Sequence, residues 1–166
     1  MSINKWDNNF LKLAQTVSTF SKDPSTKVGA VIADDDNRVV SIGYNGFPKG
    51  IKDDQRLENR DLKYDMIVHA EANAILFANA SVKDSTIYTW PFMPCSRCAS
   101  LIIQAGIRRV VSVENKEDRW RNSFLLSHDM LTEARIELEI MQNPPTWWFG
   151  NVSPEEAASQ NYGRLP

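Results

Sequence analysis

Apolar residues recur at helical spacing between positions 6 and 20: Trp6, Phe10, Leu13, Ala14 and Val17 share one stripe, which predicts a first helix with a single buried face. Asp23-Pro24 closes it. Two β-rich runs follow, Val28 to Ala33 and Arg38 to Tyr44, joined by Asp34-Asp35-Asp36-Asn37 in what reads as a hairpin. Asn45 to Gly50 is too rich in glycine and proline for regular structure, and the charged, mixed residues 51–64 are expected to form a surface loop with room for a turn of helix. A second helix is predicted from Asp65, as N-cap, through Ala78. Thr86 to Trp90 reads as a short strand, Pro94 opens a third helix through Ile103, and Gly106 stands where a terminating glycine belongs. Ile107 to Val113, with Val110, Val111 and Val113, reads as a strand buried on both faces. A helix around Ser123 to Glu133 and a strand around Ile136 to Ile140 complete the pattern.

The order α-β-β-α-β-α-β-α-β alternates in its second half, which implies an α/β protein with parallel strands and helices on both sides. The length, 166 residues, suits one domain without a linker or repeat. From Asn143 the chain reads as an irregular tail; its aromatics, Trp147, Trp148 and Phe149, either pack back on the domain or form a subunit contact.

Charge narrows the choice of partner. The 19 basic and 21 acidic residues are dispersed, with no basic block of the kind that tracks a phosphate backbone, so a small anionic ligand is expected rather than polymeric nucleic acid. No apolar run approaches the roughly 20 residues of a membrane span, and Met1 to Phe10 does not resemble a secretory signal. The 2 cysteines provide no disulfide framework, so a reducing, cytoplasmic setting is expected.

The chemistry concentrates in His69-Ala70-Glu71 and Pro94-Cys95-Ser96-Arg97-Cys98. Either half alone is weak; both fall at the start of predicted helices, so both can open on one end of a sheet. One imidazole and two thiolates make three zinc ligands and leave a fourth tetrahedral position for water, whereas a structural site needs a fourth protein ligand. The other histidine, His128, reads as a packed or solvated side chain. Thiol exchange would not explain His69 or Glu71, and Ser96-Arg97 is not the Gly-Pro of thioredoxin-like sites. His-x-Glu with Pro-Cys-x-x-Cys is the pattern of zinc nucleobase deaminases, in which the metal acidifies a water and a glutamate, here Glu71, moves the protons. One zinc per chain is expected.

The chain resembles the deoxycytidylate (dCMP) deaminases of the cytidine deaminase-like superfamily from about Trp6 to Met141. The likeness is carried by Asp23-Pro24-Ser25-Thr26-Lys27-Val28-Gly29-Ala30, Gly43-Tyr44-Asn45-Gly46-Phe47-Pro48, the two zinc motifs, and Leu101 to Ile107. It implies a three-layer α/β/α fold with a mixed five-stranded sheet and conversion of dCMP to dUMP and ammonia, feeding thymidylate synthesis. It further implies a homohexamer, activated by dCTP and inhibited by dTTP, with Mg2+ accompanying the triphosphate. Asn45 matches the family asparagine that contacts the sugar; a tight left-handed turn before Gly46 is a compatible structural reading. Phe47-Pro48 either walls the pocket or packs. Ser25, Thr26 and Lys27, and Arg121 after Trp120, are the candidates for the phosphate. Arg119-Trp120-Arg121 stands where many relatives carry tyrosine, so a Trp120 ring near the base or phosphate would shift preference between mono- and triphosphate. Two other classes remain open at this point: an editing deaminase acting on tRNA or single-stranded DNA, and an inactive nucleotide-sensing or structural zinc protein.

Overall fold

The computed structural model describes residues 3–114, 118–142 and 144. Asn4 begins α1 (Lys5–Ser18): its Oδ1 accepts the Trp6 and Asp7 N–H groups at 2.8 and 3.0 Å, and Asp7 Oδ2 accepts the Asn4 N–H at 2.9 Å in return. The buried face carries Asp7, Phe10, Leu11, Ala14 and Val17. It is rotated from the stripe expected above: Trp6 is 48% exposed and Leu13 half-buried, whereas Leu11 is fully buried. An inward Asp7 sets this phase, because positions three, four, seven and ten residues later then share its face.

β1 (Gly29–Ala33) and β2 (Val39–Tyr44) form the expected hairpin, and β3 (Thr86–Trp90), β4 (Arg109–Val113) and β5 (Glu137–Met141) follow. The sheet order is β2-β1-β3-β4-β5; β1 is antiparallel to both neighbours, and β3, β4 and β5 are parallel, which makes the mixed five-stranded sheet. Strand alternation divides the core. Val31 and Ala33 join Phe10, Leu11, Tyr88 and Val111 under α1, while Ala30 and Ile32 join Ala74, Ile87, Ile102 and Val110 on the opposite face. α3 (Ala70–Leu76), α4 (Ser96–Gln104) and α5 (Arg121–Glu133) cover that second face. Gly106 takes φ +75° after α4, as its place in the sequence implied. The tail aromatics Trp147, Trp148 and Phe149 lie outside the described residues.

One ion pair ties α1 to the sheet across 102 residues of sequence. Arg109 grips Asp7 bidentately, Nη1–Oδ1 at 2.6 Å and Nη2–Oδ2 at 3.2 Å, and Nε donates to Glu137 at 2.9 Å. The Tyr88 hydroxyl donates to Asp7 Oδ1 at 3.1 Å. Burial by itself would raise the Asp7 carboxyl; the Arg109 hydrogen bonds and charge, the Asn4 N–H and Tyr88 outweigh it, and the net effect is a lowering. Removing one partner of a buried pair strands the other, so Asp7→Ala is expected to cost about 3–5 kcal/mol in denaturant unfolding. The sign with pH follows from the depressed carboxyl. The unfolded chain takes up the proton first, so this stability is full above about pH 4 and is lost as pH falls through the folded-state value. Asp7→Asn should therefore flatten the acid limb of the stability profile; an unchanged limb would remove Asp7 from it.

The largest departure from the sequence reading lies before the first zinc motif. Instead of a loop followed by one helix from Asp65, residues 51–78 hold a 3₁₀ turn (Gln55–Leu57), α2 (Arg60–Met66) capped by Asn59, a break, and α3. β-branched Ile67 and Val68 form the break, and Val68 instead exchanges backbone hydrogen bonds with Gly46 at 2.9 and 3.1 Å. Gly43 in β2 fixes the height of α3, since a Cβ there would collide with the Ala70 carbonyl and the Ala74 amide.

Candidate active site

The register of the sheet gathers the site at one edge. Gly29, the first residue of β1, pairs with both Tyr44 at the end of β2 and Trp90 at the end of β3. The segments before β1 and after β2, β3 and β4 therefore emerge together, at the carboxyl ends of the parallel strands where open α/β sheets bind ligands. His69 is the N-cap of α3 and Cys95 the N-cap of α4; neither side chain caps its own helix, so both are free to face the cavity between them. A neighbour supplies the cap that Cys95 does not: Ser123 Oγ of α5 accepts the Ser96 N–H at 3.0 Å.

His69 Nδ1 lies 3.5 Å from Cys95 Sγ and 3.3 Å from Cys98 Sγ, and the three donor atoms are within 4.8 Å of one another. Zinc–nitrogen and zinc–sulfur bonds of ~2.0–2.3 Å at a tetrahedral angle place such donors about 3.6 Å apart. The spacing and the soft donor set fit zinc. His128, with its side chain 60% exposed beside Asp129, is no part of the group.

The electrostatics suit a cation. The Cys95 thiol is lowered to about 4, first by the hydrogen bond from Cys98 and then by His69, against the opposing effect of burial. That contact with Cys95, together with burial, pushes the Cys98 thiol up. A thiol that coordinates a divalent ion loses its proton outright, so metal binding resolves the competition. Hydrogen bonding to Cys95 raises His69, with burial opposing. Glu71, on the first turn of α3, is 3% exposed, and burial pushes its carboxyl above the ordinary range while the His69 charge draws it back.

The structure sorts the other residues named from sequence. Ser25, Thr26, Asn45 and Trp120 line the same cavity as His69 and Glu71. Asn45 is not left-handed; its Nδ2 donates to the Thr26 carbonyl at 2.9 Å and its Oδ1 accepts the Val28 N–H at 2.7 Å, so it shapes the wall before β1. Lys27 is not among the lining residues. Phe47 faces a separate groove with Ile42, Pro48 and Phe77, and Arg121 an outer groove with Glu114, Asp118 and His128. Sequence reading overlooked Asp23, Lys63, Tyr64, Phe92 and Phe124, which complete the cavity. Tyr64 meets Trp120 edge-on at 5.8 Å and Phe92 meets Phe124 at 5.6 Å. Asp23 was legible as a helix stop and as the first residue of the Asp23–Ala30 segment that carries the family likeness, but not as a wall of the cavity; Lys63 carried no signal, being one charge in a charged segment.

This strand order, with a histidine–cysteine trio that fits zinc and a buried carboxylate at the carboxyl edge, defines an α/β/α protein whose site suits a metal and acid–base chemistry. The chain belongs to the cytidine and deoxycytidylate deaminase family: the family model described as the cytidine and deoxycytidylate deaminase zinc-binding region matches residues 4–114. An uncharacterized deaminase from the luxG 3′ region of Aliivibrio fischeri is 44% identical over 139 residues, spanning 82% of this chain and 93% of the relative. The deoxycytidylate deaminase of Mus musculus is 44% identical over 119 residues, 68% of this chain and 66% of that one. Among solved structures, the dCMP deaminase of cyanophage S-TIM5 in complex with dCMP and dUMP superposes with a TM-score of 0.65 at 25% identity, covering 80% of this chain and 94% of the phage chain.

Proposed function

We propose that the protein hydrolyses dCMP to dUMP and ammonia, with His69, Cys95 and Cys98 as zinc ligands and Glu71 as the proton carrier. The observation that carries this reading is the burial of Glu71 in one cavity with His69 and Cys95, two of the three grouped donors. When bound there, zinc supplies Lewis acidity that makes a water nucleophilic near neutral pH. Glu71 takes a proton from the water that attacks C4 and delivers it to ring N3. It then transfers the second proton to the departing amine, so that C4 becomes a carbonyl and ammonia leaves. A carboxyl raised by burial is a stronger base than an exposed one, which matches the task.

The cavity wall assigns the remaining roles in this reading. Phe92, Phe124 and Trp120 provide apolar surface for the pyrimidine. Asn45 Oδ1 keeps a second lone pair beyond its bond to Val28, available to a sugar hydroxyl. Activation by dCTP, inhibition by dTTP with Mg2+ and a homohexamer are part of the same proposal and are supported by the family resemblance; a cytoplasmic setting is also part of it, supported by 2 cysteines that offer no disulfide framework. Incubation of the purified protein with dCMP is expected to shift the cytosine absorbance to that of uracil with one ammonia per dUMP, and dCTP or dTTP in the same cuvette should raise or lower the rate. No spectral change with zinc-loaded protein, with and without dCTP, would sink the deaminase reading.

A further inference from the structure

α4 starts at Ser96, and the N–H groups of a helix's first turn have no partner within the helix. The residue that ordinarily supplies one is the N-cap, here Cys95, whose Sγ lies 3.5 Å from His69 Nδ1 and makes no cap bond. Ser123, in the first turn of α5, fills that place from outside the helix. Its Oγ accepts the Ser96 N–H at 3.0 Å and lies 3.1 Å from Ser96 Oγ, a second hydrogen bond. One hydroxyl thus holds Ser96 by backbone and side chain together. Ser127 and Leu131, one and two turns further along α5, are fully buried on the same face, so the helix that carries this cap is itself anchored in the core. Trp120 and Phe124, on either side of Ser123, line the cavity.

Ser96 lies between Cys95 and Cys98, so its position sets both sulfurs. Metal–ligand distances tolerate only about 0.2 Å, and a seat displaced by more gives up affinity. We infer that Ser123 is a positioning residue for the metal seat: by capping α4 from α5 it fixes where Cys95 and Cys98 present their sulfurs to His69. The inference rests on the reading of those three residues as zinc ligands. Water can replace the lost hydroxyl as partner for the half-buried Ser96 N–H, but a water does not tie α4 to α5. Removal of the Ser123 hydroxyl therefore alters the metal seat more than it alters the fold. The same bond joins the seat to the aromatic wall that Trp120 and Phe124 supply.

Ser123→Ala in the full-length protein tests this, with zinc affinity measured by chelator competition at a temperature where the metal-free protein is folded. The zinc Kd is expected to rise roughly 3- to 30-fold. The cobalt-substituted variant should show absorption bands shifted or weakened from those of the cobalt-substituted wild type, because its ligand geometry is no longer held. The metal-free melting temperature should fall by less than about 4 °C. Ser123→Thr, which returns the hydroxyl, should recover both the affinity and the bands. Unchanged zinc affinity and bands in Ser123→Ala would make the residue a plain helix cap and overturn the assignment, as would a loss that Ser123→Thr does not recover. Ser96→Ala removes only the bond between the two hydroxyls and should raise the zinc Kd by roughly 2- to 5-fold. It keeps the test open if Ser123→Ala does not fold, and an unchanged Kd there overturns the assignment too. A wild type that binds neither zinc nor cobalt would sink the metal reading and this inference with it, whereas a wild type that binds both beside an unaffected variant sinks the role of Ser123 alone.

Discussion

Glu71→Gln is expected to fold and hold zinc like the wild type while its turnover of dCMP falls by about 10²- to 10⁴-fold or more. The amide keeps the size and a hydrogen-bonding oxygen but cannot take a proton, and among the described residues the one other carboxylate lining the cavity is Asp23, whose Oδ1 accepts four donors and whose Oδ2 accepts Asn45 Nδ2 at 3.4 Å. The substitution also removes a charge that burial disfavours, so thermal stability should stay level or rise. Zinc content and steady-state rate measured on one preparation separate proton transfer from metal binding. A variant with full zinc and near-normal turnover would exclude Glu71 from the chemistry, and one that loses zinc would make the carboxylate part of the metal seat.

Cys98→Ala is expected to lose metal and, with it, all measurable turnover. Cys98 Sγ is buried on the first turn of α4, 3.3 Å from His69 Nδ1, and its removal leaves one imidazole and one thiolate, too few to retain the ion through purification. Part of the wild-type stability comes from binding an ion that the unfolded chain holds poorly, so the variant should also melt lower. A chelator supplies the control: stripping the wild type should bring its melting temperature close to that of Cys98→Ala, and returned zinc should restore only the wild type. If the variant retains one zinc per chain, Cys98 is not a ligand.

The zinc motif was legible because its chemistry is local. His69 and Glu71 are two residues apart and Cys95 and Cys98 three apart, so each pair shares a helix turn whatever the rest of the chain does. The strands were legible for a similar reason: β-branched clusters such as Val110-Val111 with Val113 suit a pleated, buried strand, whatever lies beyond their neighbours. What failed was judged from composition. Residues 51–64 looked solvated by their charge, yet Asn59 caps a helix there and Lys63 is buried, because its ammonium finds Asp23 forty residues away. Trp6, the largest apolar side chain of α1, faces solvent because Asp7 turns inward to an arginine on β4.

Residue order thus specifies which groups carry the chemistry and which segments become strands, since both depend on neighbours within a turn or a pleat. Where those groups meet, which cation joins them and which face each helix buries are settled by pairings between residues dozens of positions apart. Their partners become neighbours when the sheet brings the ends of β1, β2 and β3 to one edge, and until then burial, charge and cavity walls have no values to read.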